Sequence, residues 1–152
     1  MEPILALIER LTGKVTAEGC RALDELRARS EQSDAVYAYL DAFFPMLDSA
    51  NSYVRARGLA LLAANARWDE EKRIDGALDA ILAHITDEKP ITARISVQCL
   101  PTLAQSKPAL RTRILAALRG ADTSRYRDSM RPLIDKDIAA AIAEIEGMGE
   151  AD

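Results

Sequence analysis

The stretch FFPMLDSANSYVRARGLALLAANA, residues 43–66, decides the fold class. Residues 52–66 are rich in Ala and Leu, which are both strong helix formers. Before them, residues 33–48 carry apolar side chains at helical spacing. Only the short turn at 49–51 separates the two segments. Because so short a connection makes neighbouring helices pack antiparallel, the sequence predicts a helical hairpin here.

The same helical periodicity continues along almost the whole chain. No segment shows the alternating, β-branched pattern of a strand. Glycines such as Gly13 and Gly120 stand where helices are expected to end. The fold class is therefore predicted to be all-α. The predicted helices lie at 3–12, 16–30, 33–48, 52–66, 69–86, 90–105, 107–119 and about 124–146.

The predicted hairpins repeat along the chain. A shift of 37 residues superposes Arg57 on Arg94 and Arg94 on Arg131. Such a period is typical of a solenoid, in which each hairpin buries its apolar face by stacking on the next. We expect one domain, 1–152, that forms an α-α superhelix of about four hairpins; a closed helical bundle is the competing architecture. The hairpins are a degenerate N-terminal pair at 1–31 and repeats at about 33–66, 69–105 and 107–146, before an acidic tail at 147–152.

Residues 43–66 resemble a HEAT-type repeat of the ARM-type α-helical repeat family. In that family an acidic or amide residue of the turn stands six positions before an arginine of the second helix. Asn51 with Arg57, and Glu88 with Arg94, match this spacing. The resemblance implies a right-handed HEAT-like solenoid in which these four residues form a structural series.

A narrower resemblance covers about residues 40–142. It is to short bacterial HEAT-like proteins that are labelled SufBD, after iron–sulfur assembly. It implies the same fold and, as one alternative function, an accessory role in iron–sulfur cluster assembly. The chain has only two cysteines, and cluster chemistry uses a cysteine-rich ligand set. The matching residues are 51–57, 66–69, 87–90, Arg94, 126–130 and 133–138.

The three superposed arginines allow two interpretations. Each can pair with a turn residue or with a carbonyl of the adjacent repeat and so fix the packing, or each can bind a carboxylate or phosphate of a ligand. The residue six positions before Arg131 is Arg125, so Arg131 lacks the expected acidic or amide partner. We therefore expect Arg57 and Arg94 to be structural. The candidate binding residues are Arg131, Arg125, Arg127 and Tyr126.

Basic side chains are concentrated in residues 107–136. This segment holds eight basic and three acidic residues, whereas the whole chain has a formal net charge of −4. A basic segment can bind the phosphates of a nucleic acid. Aromatic residues make up only 5% of the chain, too few for extensive stacking on bases. Nucleic-acid binding through 107–136 is therefore the second hypothesis for the function.

The sequence gives no residue-level support for catalysis. It has no GxGxxG, P-loop, GxSxG or HExxH motif. His84 is the only histidine, and the two cysteines, Cys20 and Cys99, lie far apart. We expect no enzymatic activity, no catalytic residue, no cofactor and no metal site.

The expected function is that of a scaffold which binds another protein. A helical solenoid exposes a broad curved surface of second helices without a deep pocket. No run of about 18 uncharged apolar residues is present, so we expect no membrane span. The N-terminus lacks the basic region that precedes the apolar residues of a signal peptide. The two cysteines lie far apart and form no CxxC motif, so we expect reduced thiols and a cytoplasmic protein.

Overall fold

The protein is all-α. The structure, a computed structural model, describes residues 1–149, and within this range it contains helices and no β-strand. No helix of the described part is both long enough and apolar enough to span a membrane. The chain forms two compact units, residues 1–71 and residues 72 onward, which are described separately.

The first unit is built on three α-helices. Helix α2 packs against both α1 and α3. The largest fully buried side chains of the unit are Leu11, Leu26, Leu40, Phe43, Leu61 and Leu62. The α-helices are α1 (Ile4–Leu11), α2 (Thr16–Gln32) and α3 (Ser52–Asn65), and short 3-10 helices lie at Tyr37–Ala42, Pro45–Asp48 and Ala66–Trp68.

Helix α3 forms where the Ala- and Leu-rich stretch predicts it. The Asn51 side chain caps it, because its Oδ1 accepts a hydrogen bond from the Tyr53 backbone N–H at 2.9 Å. Every residue from Val54 to Ala63 is buried. Burial on all sides explains why the helix lacks a polar face.

The segment before α3 differs from the prediction. A continuous helix at 33–48 was expected, but two 3-10 helices form instead, Tyr37–Ala42 and Pro45–Asp48. Tyr39 has non-helical backbone angles, and Pro45 has no N–H to continue a hydrogen-bonded helix across it. The predicted helix at 33–48 is therefore wrong in type and continuity.

The second unit contains four α-helices. Helix α5 packs against α7, and α6 packs against both. Its largest fully buried side chains are Ile74, Leu78, Leu100, Leu103, Ile114 and Leu118. The α-helices are α4 (Leu78–Leu82), α5 (Pro90–Ser106), α6 (Arg111–Arg119) and α7 (Arg131–Glu146), and 3-10 helices lie at Asp75–Ala77, Ala83–Thr86 and Pro108–Leu110.

Two predicted helices of this unit begin later than expected. The predicted helix at 69–86 is interrupted by Lys72, whose φ of 59° lies in the left-handed region, and the α-helical part is only Leu78–Leu82. Helix α7 begins at Arg131 rather than near 124, and Pro132 occupies its first turn, where proline is well tolerated. Residues 121–130 form a loop instead. Of the predicted acidic tail, 150–152 lie outside the described residues.

Candidate functional site

Arg57 is buried and holds two backbone carbonyls of the first unit. Its Nη1 donates to the Leu11 carbonyl at 2.7 Å, and its Nη2 donates to the Thr16 carbonyl at 3.2 Å. Leu11 ends α1 and Thr16 begins α2, so one guanidinium fixes the connection between these helices. The residue is 4% exposed. The side chain is thus buried, with its guanidinium bonded to the backbone of its own chain.

The space for this guanidinium exists because residue 19 is glycine. A Cβ atom at Gly19 would lie 2.5 Å from the Arg57 Cζ and Nη1 atoms. The close approach places α2 directly against the charged group. Sequence spacing gave no indication of this contact, since Gly19 and Arg57 belong to different predicted repeats.

The turn before α3 is held by a second buried arginine. Arg55 Nη1 donates to the Ser49 carbonyl at 3.0 Å, and Arg55 is 6% exposed. Asn51 in the same turn caps α3. The spacing in the sequence pointed to Arg57 and not to the adjacent Arg55, which also fixes the chain that enters α3.

Arg94 pairs with a carboxylate of another helix. Its Nε donates to Asp137 Oδ2 at 2.7 Å, and its Nη2 lies 3.4 Å from Asp137 Oδ1. This hydrogen bond and the negative charge raise the pKa of Arg94 above its ordinary value. Gln98 Nε2 approaches the same carboxylate at 3.4 Å. A partner of Arg94 thus lies on α7.

The loop before α7 is docked on the turn before α5. Tyr126 is 6% exposed, and its hydroxyl donates to the Asp87 carbonyl at 2.6 Å. Arg125 Nη1 donates to the Thr86 carbonyl at 2.7 Å. These two hydrogen bonds hold the loop before α7 against the turn before α5.

The turn that receives this loop is itself fixed by a buried carboxylate. Asp87 Oδ2 lies 2.7 Å from His84 Nδ1, and Asp87 Oδ1 accepts the Lys89 backbone N–H at 2.9 Å. The Asp87 side chain is 3% exposed. The only histidine of the chain therefore helps to hold a turn.

Arg131 and Arg127, the other two candidate binding residues, lie on the surface. Arg131 Nε donates to Thr123 Oγ1 at 3.2 Å and lies 3.9 Å from Asp135 Oδ2. Arg127 is exposed, and its carbonyl accepts the Arg131 N–H at 2.8 Å. The four candidates are neighbours, but Tyr126 and Arg125 use their polar groups within the protein.

Acidic residues from outside the basic segment neutralise part of it. Lys107, Arg113 and Arg119 form ion pairs with Asp75, Asp79 and Glu146, respectively, at 2.8, 2.7 and 2.5 Å. Counting these three carboxylates with the three acids of the segment lowers its local excess of positive charge from five to two. The structure thus offers fewer uncompensated cations to a phosphate backbone than the sequence alone suggests.

The exposed face of α5 carries almost no charge. Arg94 is the only charged residue of this helix, and it is paired with Asp137. Ile91 is 56% exposed although it is a large apolar residue. On α7, Leu133 is 39% exposed. We name the uncharged positions Ile91, Ile95, Gln98, Thr102 and Gln105, which are exposed or partly exposed, the α5 seam.

The α5 seam was not predicted, although the sequence contains a signal for it. The segment PITARISVQCLPTLAQS contains one charged residue in a chain that is 29% charged. Which of its residues face outward became clear only from the packing of α5 on α7.

The described residues contain no group of three or more His, Cys, Asp or Glu side chains that could hold a metal ion. Comparisons with models of protein families, with curated proteins and with solved structures found no match to the chain.

Proposed function

We propose that the protein is a non-catalytic, cytoplasmic scaffold of the HEAT-like superhelix type, which binds a protein partner through the α5 seam. The observation that carries this proposal is the uncharged, partly apolar exposed face of α5. The cores of protein–protein interfaces are depleted of charged residues, whereas the rest of a protein surface is rich in them. Ile91 is a large apolar side chain that is more than half exposed. A partner that covers it lowers the free energy, because apolar surface is removed from water.

The surroundings of the seam suit such an interface. Arg94 and Asp137 border it as a neutralised pair with side-chain exposures of 30% and 14%. A partner that covers them does not bury a lone charge, which would be costly. The seam therefore combines an uncharged centre with a polar border.

A nucleic-acid partner would require a different surface. Phosphates are bound by uncompensated Lys and Arg side chains, and the α5 seam has none. Ion pairs with Asp75, Asp79 and Glu146 neutralise part of the positive charge of the basic segment 107–136. A protein partner at α5 is for these reasons the better supported hypothesis.

An affinity capture from the native host tests the proposal. Thr102→Lys places a charge in the α5 seam, and Thr112→Lys places the same charge on the exposed surface of α6 as a matched control. We expect the wild type and Thr112→Lys to retain the same protein, and Thr102→Lys to retain it at least about tenfold less, because a buried unpaired charge is costly. Every capture is repeated after nuclease treatment. Capture that is lost with nuclease and unaffected by Thr102→Lys would contradict the proposal and favour nucleic acid.

A further inference from the structure

A cavity of about 360 Å³ lies beside α1 and α2 in the first unit. It is lined by the buried apolar residues Leu7 and Ala22, which are 3% and 1% exposed. Three arginines line it as well: Arg10 on α1, and Arg21 and Arg29 on α2. A cavity of this size holds a small organic molecule and is large for a bare inorganic ion.

Arg29 carries hydrogen-bond donors that the described residues do not use. Its side chain is 14% exposed, and its Nε donates to Glu25 Oε1 at 2.9 Å. Within residues 1–149 neither of its Nη atoms has a hydrogen-bond partner. A guanidinium has five N–H donors, so four donors of Arg29 are available to an acceptor in the cavity. Donors that are largely shielded from water gain most from such an acceptor.

Arg21 adds a second guanidinium to the same side of the cavity. It stands eight positions before Arg29, and this spacing places both residues on one face of α2. Arg21 is exposed, and in the described part of the chain its side chain has no ion pair or hydrogen bond. Arg10 differs, because it pairs with Glu2 at 2.5 Å. The cavity thus has two guanidinium groups on α2 that can together bind an oxyanion.

The charge of the lining favours a ligand with one negative charge. The three arginines are accompanied by two glutamates, Glu2 and Glu25, so three positive and two negative side chains leave a net charge of +1. A guanidinium binds a carboxylate in a planar, bidentate geometry. One carboxylate balances the lining, whereas a doubly charged phosphate brings excess negative charge close to the two glutamates.

We propose that this cavity binds a small organic monocarboxylate. The carboxylate accepts hydrogen bonds from Arg29 and Arg21, and a short apolar body lies toward Leu7 and Ala22. The site belongs to the first unit, so the proposal does not depend on the α5 seam of the second unit.

NMR titrations with sodium butyrate, sodium acetate and inorganic phosphate, at an ionic strength held constant with sodium chloride, test the proposal. We expect butyrate to cause saturable shifts of the Arg29 Nε–H signal and of the backbone amides of 21–29. Butyrate should bind more tightly than acetate, because only butyrate has an apolar chain to bury. Arg29→Gln and Arg21→Gln should each weaken butyrate binding at least about tenfold. Arg27→Gln removes an exposed arginine of α2 that does not line the cavity, and it should leave the affinity unchanged.

Arg21→Gln keeps the test decisive if Arg29→Gln does not fold, since the Arg21 side chain has no contact within residues 1–149 that the variant would lose. Spectra of the variants without ligand establish which are folded. Shifts that grow linearly with butyrate and never saturate would overturn the proposal. Butyrate binding that Arg27→Gln weakens as much as Arg21→Gln would also overturn it, because the effect would then come from general charge. Tighter binding of phosphate than of butyrate would show that the ligand class is wrong.

Discussion

The buried guanidinium of Arg57 restricts residue 19 to glycine. Arg57 is held by the carbonyls of Leu11 and Thr16, so it cannot move away without losing two hydrogen bonds to a charged group. A Cβ at position 19 would lie 2.5 Å from it. Glycine at this helical position is thus a packing requirement, although glycine costs helix stability relative to alanine.

Gly19→Ala is therefore expected to destabilise the protein. Helix propensity alone would stabilise the variant by about 1 kcal/mol, whereas the forced displacement of Arg57 should lower the free energy of unfolding by about 1–3 kcal/mol net. Urea denaturation measures the difference. The same substitution in an Arg57→Ala background should be neutral or stabilising, because the obstructing group is gone.

Gly76→Ala is the matched control, since no atom lies within 4 Å of a Cβ built there. It should be neutral or slightly stabilising. If Gly19→Ala lowers the free energy of unfolding equally in the wild type and in the Arg57→Ala background, the contact between residue 19 and Arg57 does not affect stability.

The arginines also show how far sequence reasoning reaches at this scale. The acidic or amide residue six positions upstream led us to expect that Arg57 and Arg94 are structural; both donate hydrogen bonds within the chain, and their structural role stays a prediction. Their partners were beyond prediction, because Leu11 and Asp137 lie 46 and 43 residues away and spacing within one turn indicates only local partners. Arg131 contacts Thr123 and Asp135, so its freedom to bind a ligand stays a prediction.

At the scale of elements, α3 and α5 were predictable, whereas the segments directly before them and the start of α7 were not. α3 and α5 are long, and they appear close to their predicted bounds because Ala- and Leu-rich periodicity acts locally. The segments before them break into short 3-10 helices at Tyr39 and after Lys72, where the backbone leaves the helical region. The late start of α7 depends on contacts of residues 125–126 with residues 86–87, which no local pattern reveals.

The stability of the protein is expected to fall at alkaline pH because of Tyr126, which lies in the docked loop before α7. Burial raises the pKa of Tyr126 above its ordinary value of 10, and the nearby Asp87 adds to the rise while Arg125 opposes it. As pH increases through 10, the unfolded chain loses this proton before the folded chain does, so stability falls. The contribution of Tyr126 is complete below pH 10 and is lost above it.

Tyr126→Phe removes both the hydrogen bond to Asp87 and this titration. At neutral pH the variant should be less stable than the wild type by about 0.5–1.5 kcal/mol. The difference should shrink as pH rises above about 10. Urea denaturation at several pH values checks this, with Tyr39→Phe as the control at an exposed tyrosine. A difference for Tyr126→Phe that stays constant would mean that the buried hydroxyl does not titrate as described.

At the scale of the whole molecule, the distribution of charge separates the two leading hypotheses. The basic segment 107–136 led the sequence analysis to consider nucleic acid, because sequence counts cannot show which acids lie beside a basic residue. The structure adds three carboxylates to that surface and leaves α5 as an exposed helix face without net charge. The all-α class predicted from periodicity is confirmed, whereas the superhelix stays a prediction.

The central claim is that the α5 seam is the surface that binds a protein partner. Hydrogen–deuterium exchange of the protein alone and of its complex with the captured partner tests the claim most directly, because it reports where binding protects the backbone. The account predicts slower exchange in the complex in peptides from Pro90–Ser106, with no change in peptides from α1 and α2. Unchanged exchange in α5, or protection confined to another helix, would contradict it.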